Sequence, residues 1–94
     1  MKSITIFYQI ACPYCHNAHD ALEELIREDP AYGQVEIEWV EETEQNALAA
    51  QYDYYYVPTI FYGQTKLYEA RPSERFDDCK ERIRAALDAV LARA

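Results

Sequence analysis

Glycine and proline are scarce, two and four in 94 residues. That excludes collagen-like repeats and flexible or polyproline linkers. Basic residues are in deficit: nine Lys and Arg stand against seventeen Asp and Glu, a formal charge of −8. Such a surface repels a phosphate backbone, which argues against nucleic acid as a partner, and it disfavours an anionic membrane face. No apolar run reaches the roughly 18 residues of a membrane span. The opening Met1-Lys2-Ser3-Ile4-Thr5-Ile6-Phe7-Tyr8 has no apolar stretch long enough for a secretory signal. Three cysteines are too few for a disulfide-stapled scaffold, which normally holds an even number. These lacks read together as a soluble, cytoplasmic protein.

What is present is globular in balance, with 50% hydrophobic and 28% charged residues. The length suits one domain spanning residues 1–94 with a modest core. Residues 4–8 form a β-branched and aromatic run that predicts a buried strand. Pro13 suits a first helical turn, and Ala18, Leu22, Leu25 and Ile26 recur at helical spacing to about Glu28, where Asp29-Pro30 stops the helix. Val35, Ile37 and Trp39 alternate with Glu36 and Glu38, a strand with one solvated side. Thr43 is placed to cap a second helix running to about Tyr52, with Glu44 favoured at its positive end. Thr59-Ile60-Phe61-Tyr62 and Lys66-Leu67-Tyr68-Glu69 flank the turn Gly63-Gln64 as an antiparallel hairpin. Ser73 is placed to cap a last helix, whose apolar stripe is Phe76, Cys79, Ile83, Leu87 and Val90. The order β-α-β-α-β-β-α predicts an α/β fold, one mixed four-stranded sheet with helices on both faces.

Chemistry concentrates at Cys12-Pro13-Tyr14-Cys15. The pair sits where a strand gives way to a helix, and unpartnered backbone N–H groups and the helix dipole favour a thiolate there. Cys12, at or before the first turn, is the exposed member. Cys15, three before Ala18 and seven before Leu22, belongs to the inward face. The asymmetry assigns Cys12 as nucleophile on a substrate disulfide and Cys15 as the thiol that resolves the mixed disulfide. Pro13 stiffens the turn and Tyr14 flanks the sulfur. A C-x-x-C opening a helix in a βαβ pattern is the thioredoxin-like signal. Rival readings of the same residues are two ordinary thiols, a haem attachment through Cys12, Cys15 and His16, and a zinc or iron–sulfur module using Cys12, Cys15 and His16 or His19. On a helical wheel both histidines turn towards Asp20 and Glu23, a solvated face. A protonated His16 would add to thiolate stabilisation at Cys12.

Val57-Pro58-Thr59 reads either as a strand-start proline or as a tight cis turn. In a thioredoxin-like sheet the segment lies beside the C-x-x-C corner, where its backbone can pair with an extended substrate. Nine tyrosines, with a run at 54–56, divide between core packing and a recognition rim. Cys79 has core spacing and reads as a buried small hydrophobe.

Cys12-Pro13-Tyr14-Cys15, Val57-Pro58-Thr59 and the element order resemble the glutaredoxin branch of the thioredoxin-like superfamily over nearly the whole chain. Tyr52–Thr59 is similar to small glutaredoxin-like proteins of Firmicute-type bacteria. The resemblance implies thiol–disulfide exchange by Cys12 and Cys15, a cis Pro58, and a Val57 backbone offered to substrate, with Pro13, Tyr14 and Thr59 also at the substrate. It implies no bound cofactor or metal, a monomer, a disulfide-bearing protein or small thiol as substrate, and electrons from glutathione or a thioredoxin-reductase-type donor. Three departures argue against glutathione. Gln9 stands where the family usually has a basic residue, Tyr68-Glu69 fill the usual Gly-Gly pair, and Pro72-Ser73 fall where an acid is usual. Bulk at Tyr68 and charge at Glu69 are expected to hinder an anionic tripeptide. Arg71-Pro72 is similar to the glutaredoxin-like hydrogen donors of ribonucleotide reductase, which thioredoxin reductase reduces.

Overall fold

The computed structural model describes residues 2–93. Strand β1 (Ser3–Tyr8) leads into helix α1 (Pro13–Glu28), and a 3₁₀ turn (Pro30–Gln34) joins it to β2 (Glu36–Glu41). A single helical turn, α2 (Asn46–Ala49), precedes the hairpin of β3 (Thr59–Tyr62) and β4 (Thr65–Glu69), and α3 (Phe76–Leu91) ends the fold. The sheet order is β2-β1-β3-β4, with β1 and β2 parallel and the other two pairings antiparallel. This is the mixed four-stranded α/β architecture that the sequence predicts. No helix among the described residues is long and apolar enough to cross a membrane.

Alternation along the central strands sends side chains to both faces of the sheet. Ile4, Ile6 and Ile60 face α1 and α3, and pack with Leu22, Leu25, Ile83, Leu87 and Val90. Phe7, Val40 and Phe61 face the other way, where Leu48, Ala49, Tyr52, Tyr54 and Val57 cover them. Tyr52 lies 4.8 Å from both the Phe7 and Phe61 rings, and Tyr54 stacks on Phe7 at 5.1 Å. Two faces are therefore closed by different means: two long helices on one, and one helical turn with an aromatic loop on the other. Gly63 takes φ +61° in the hairpin turn, a conformation costly for residues with a Cβ.

Three local expectations are corrected. The second helix is one turn long, capped by Gln45 rather than Thr43, and does not reach Tyr52. Thr43 is captured by the buried Glu41 carboxylate, which accepts both its N–H and its hydroxyl at 2.6 Å. Tyr52 and Tyr54 turn instead onto Phe7, which a continued helix would prevent. The last helix begins at Phe76 with Arg75 as its cap residue, not at Ser73. Ser73 has φ 65° and donates its N–H to the Tyr14 hydroxyl, 2.9 Å away, while Asp77 and Asp78 supply negative charge to the first turn. The second strand extends past Trp39 because Val40 joins the Phe7 core.

Glu41 also accepts the Ile10 N–H at 3.0 Å, so one carboxylate ties the loop before α1 to the end of β2. The Thr43 hydroxyl, then the Ile10 N–H, hold its carboxyl below the ordinary range. A depressed folded-state pKa contributes stability above the unfolded value, about 4.3, and loses it as pH falls. Glu41→Gln is therefore expected to melt below wild type at pH 7, with the gap closing as pH drops through about 4. Thermal melts of the two proteins across that range check this; a gap independent of pH would contradict it.

Candidate active site

Cys12 is the cap residue of α1, and Pro13 takes the first helical position, where a missing N–H is harmless. The Cys12 carbonyl accepts the N–H groups of Cys15 and His16, at 3.1 and 3.2 Å, which closes the first turn. Its thiol does not cap the helix. It lies 3.7 Å from the Val57 carbonyl, to which it donates. The Val57–Pro58 peptide is cis. Helix α1 and the start of β3 thus bring together the two motifs that lie 45 residues apart in sequence.

Cys15 is buried, 4% exposed. Its Sγ accepts the Gln9 N–H at 3.5 Å. Burial, above all, pushes its thiol up to about 12; the Gln9 N–H works the other way, and a hydrogen bond and charge interaction with Cys12 raise it further. Two identical side chains three residues apart therefore differ sharply in environment. Cys12 is part-exposed and reachable, whereas Cys15 holds its proton.

Gln9 does not stand free beside the cysteines. Its side-chain amide donates to Glu42, whose other oxygen accepts the Tyr54 hydroxyl at 2.5 Å. The Glu42 charge raises the Cys15 and Tyr54 pKa values, in both cases after desolvation as the larger cause. His16 Nε2 lies 2.8 Å from the Ile10 carbonyl, a geometry in which it donates and fastens the loop. His19 is exposed, beside Asp20 and Glu23 at 3.5 and 3.6 Å. Among the described residues, the one group of three possible metal ligands is His19, Asp20 and Glu23, which includes neither cysteine. The set Cys12, Cys15 and His16 or His19 is not drawn together for a metal.

The remaining expected site residues divide. Tyr14 and Val57 line a cleft of about 200 Å³ next to Cys12, whose thiol donates to Val57, and Tyr56, Arg71 and Ser73 complete it. Pro58 is fully buried. Thr59 is also fully buried and its hydroxyl donates to the Tyr68 carbonyl at 2.8 Å. Its backbone is registered against Phe7 and Glu69, so it holds the Pro58 turn in the sheet and does not present its side chain to a substrate. A broader depression of about 500 Å³, lined by Tyr8, Ile10, His19 and Trp39, opens on the other side of Cys15.

The expected obstruction at Tyr68 and Glu69 does not arise as pictured. Tyr68 is buried, its hydroxyl donating to Glu74 with Cys79 Sγ at 3.3 Å. Glu69 pairs with Lys66 at 2.8 Å and accepts the N–H groups of Tyr55 and Tyr56 at 2.5 and 2.7 Å. It organises the tyrosine loop, and its charge is neutralised. Cys79 lies in the core, 3% exposed, and burial raises its thiol. The feature sequence reading missed is Arg71 at the cleft. Its signal is geometric: among the described residues it is an exposed cation with no ion pair or side-chain hydrogen bond.

No protein-family model matches the sequence, and no curated protein matches it. Two solved structures are similar in fold. A malarial protein superposes with a TM-score of 0.59 at 19% identity, over 87% of this chain and 92% of that one. The zinc-bound form of human ERp44 superposes with a TM-score of 0.53 at 22% identity, over 87% of this chain and 25% of that one. This chain therefore spans a quarter of that second protein. The fold is thioredoxin-like.

The environments of the thiols set an order of reactivity. Brief treatment of the reduced protein with iodoacetamide at about pH 8 is expected to add one label, on Cys12, while Cys15 and Cys79 react only after unfolding. Peptide mass mapping checks this; equal early labelling of Cys15 would contradict it.

Proposed function

We propose that the protein is a glutaredoxin-like thiol–disulfide oxidoreductase. The observation that carries this reading is the pairing of a reachable Cys12 with a buried, proton-retaining Cys15 at one helix start, facing the cis-proline turn. Its thioredoxin-like fold agrees with it.

The Cys12 thiolate attacks one sulfur of a substrate disulfide. That S–S bond breaks, a mixed disulfide forms at Cys12, and the departing thiolate takes a proton from water. Losing the Cys12 proton also frees the Val57 carbonyl, which then accepts an N–H from an extended substrate. Once Cys12 is in a mixed disulfide, its negative charge no longer raises the Cys15 pKa. The Gln9 N–H favours the Cys15 thiolate, burial being the cost that remains. Cys15 loses its proton and attacks the Cys12 sulfur, giving a Cys12–Cys15 disulfide and the second substrate thiol. The substrate gains two electrons and two protons, and the protein loses both. The cysteines carry the electrons, so the reaction needs no bound cofactor.

An external thiol donor then reduces the pair, either glutathione or a thioredoxin-reductase-type enzyme. Glutathione is the weaker donor in this reading, because Gln9, tied to Glu42, stands where the family usually has a basic residue. The substrate is a disulfide-bearing protein or small thiol, and the protein acts as a cytoplasmic monomer.

Turnover of a mixed disulfide, coupled in parallel to glutathione reductase with glutathione and to thioredoxin reductase, tests the reading. Cys12→Ser is expected to fall to background. Cys15→Ser is expected to accumulate a mixed disulfide on Cys12, visible by mass. Activity that survives Cys12→Ser would overturn the assignment.

A further inference from the structure

The cleft beside Cys12 carries a charge that the catalytic chemistry does not use. Among its lining residues Arg71 alone is charged. The protein is strongly acidic, with a net charge of −8. Even so, among the described residues Arg71 has no ion pair, side-chain hydrogen bond or aromatic partner. Two acids near it are engaged elsewhere. Glu69 is paired with Lys66, and Glu74 with Arg82. Arg71 also borders a depression lined by Asp78 and Glu81, without reaching either. The loop that carries it is pinned, since Ser73, with φ 65°, donates to the Tyr14 hydroxyl on α1.

A second observation concerns the surroundings. The large hydrophobic side chains exposed among the described residues are Ile10 at 64%, Tyr55 at 87% and Tyr56 at 52%. Ile10 lies two residues before Cys12. Tyr56 lies directly before Val57 and lines the cleft. Exposed apolar bodies close in sequence to Cys12 and to the Val57 it touches mark a contact surface. Their spread on both sides of Cys12 suits a chain longer than a tripeptide.

We infer that the cleft selects protein disulfides whose reactive cysteine has a neighbouring Asp or Glu, with Arg71 reading that carboxylate and Ile10, Tyr55 and Tyr56 receiving the flanking segment. Arg71 is a specificity residue and takes no part in the sulfur chemistry. A guanidinium suits the role, because its planar fork of donors matches a carboxylate. The net charge of the protein repels acidic partners at a distance. The contact at the cleft is short-range, whereas the repulsion acts over distances that salt screens.

This inference rests on the exchange reading above, and the experiment separates the two. Reduced wild type and Arg71→Glu are offered two homodimeric peptide disulfides of equal length, one with Asp and one with Lys beside the cysteine. Wild type is also offered 2-hydroxyethyl disulfide and oxidised glutathione. The expected result is a kcat/KM advantage of about fivefold for the acidic peptide with wild type. Arg71→Glu reverses the order, and Arg71→Ala abolishes it. If wild type reduces 2-hydroxyethyl disulfide but shows no peptide preference, or if the preference survives Arg71→Glu, the role of Arg71 is overturned while the exchange reading stands. Oxidised glutathione turned over as well as the acidic peptide would overturn the commitment to a protein segment. Reduction of none of the disulfides would remove the exchange reading, and this inference with it.

Discussion

The sulfur of Cys15 lies beneath the β1–α1 corner with a single backbone donor, the Gln9 N–H, directed at it. Burying a thiol favours its neutral form, and here that cost dominates every other influence on the group. The environment of the corner follows from where the chain places this atom. Pro13 opens the helix without losing a hydrogen bond, so the first turn can sit directly on the end of β1. Ala18, Leu22 and Leu25 then draw the inward face of α1 onto the sheet and carry Cys15 down with it. Cys12, three residues earlier and at the cap, stays at the rim.

The rest of the fold supports that corner from two sides. Below it, α1 and α3 share one core with β1 and β3. Beside it, the 52–57 segment closes the opposite face of the sheet before reaching Val57 and Pro58. Tyr52 and Tyr54 anchor this segment on Phe7, and Glu69 anchors its next two N–H groups. The tyrosine run thus has two functions along its length. Tyr54 fills core space, and Tyr55 and Tyr56 are exposed just before Val57, which the Cys12 thiol touches. Glu41 and Glu42 perform a comparable service at the end of β2, holding Ile10, Thr43, Gln9 and Tyr54.

Periodicity made the strands and the two long helices legible, because each buries a face that recurs at a spacing of two or 3.6 residues. The C-x-x-C motif was legible for the same reason: the helical stripe that defines α1 also orders its two cysteines in depth. What stayed hidden depends on contacts between distant residues. Thr43 looks like a helix cap until Glu41 is seen to hold it. Ser73 looks like one until Tyr14 takes its N–H. Tyr68 and Glu69 look obstructive as residue types, yet one turns into the core and the other is neutralised by Lys66. Thr59 follows the proline like a substrate contact, but the pleat turns its side chain inward. Arg71 stood out in sequence only through the Arg71-Pro72 pair, and its place at the cleft became visible only once the fold set it beside Tyr14 and Val57.

The central claim is that Cys12 and Cys15 exchange two electrons with a disulfide while Cys79 stays apart. A single turnover tests it most directly. The fully reduced protein is mixed with one equivalent of a model disulfide, quenched in acid and mapped by peptide mass. The account predicts a Cys12–Cys15 crosslink, two released substrate thiols and a free Cys79. Retention of all three thiols, or a bridge that includes Cys79, would contradict it.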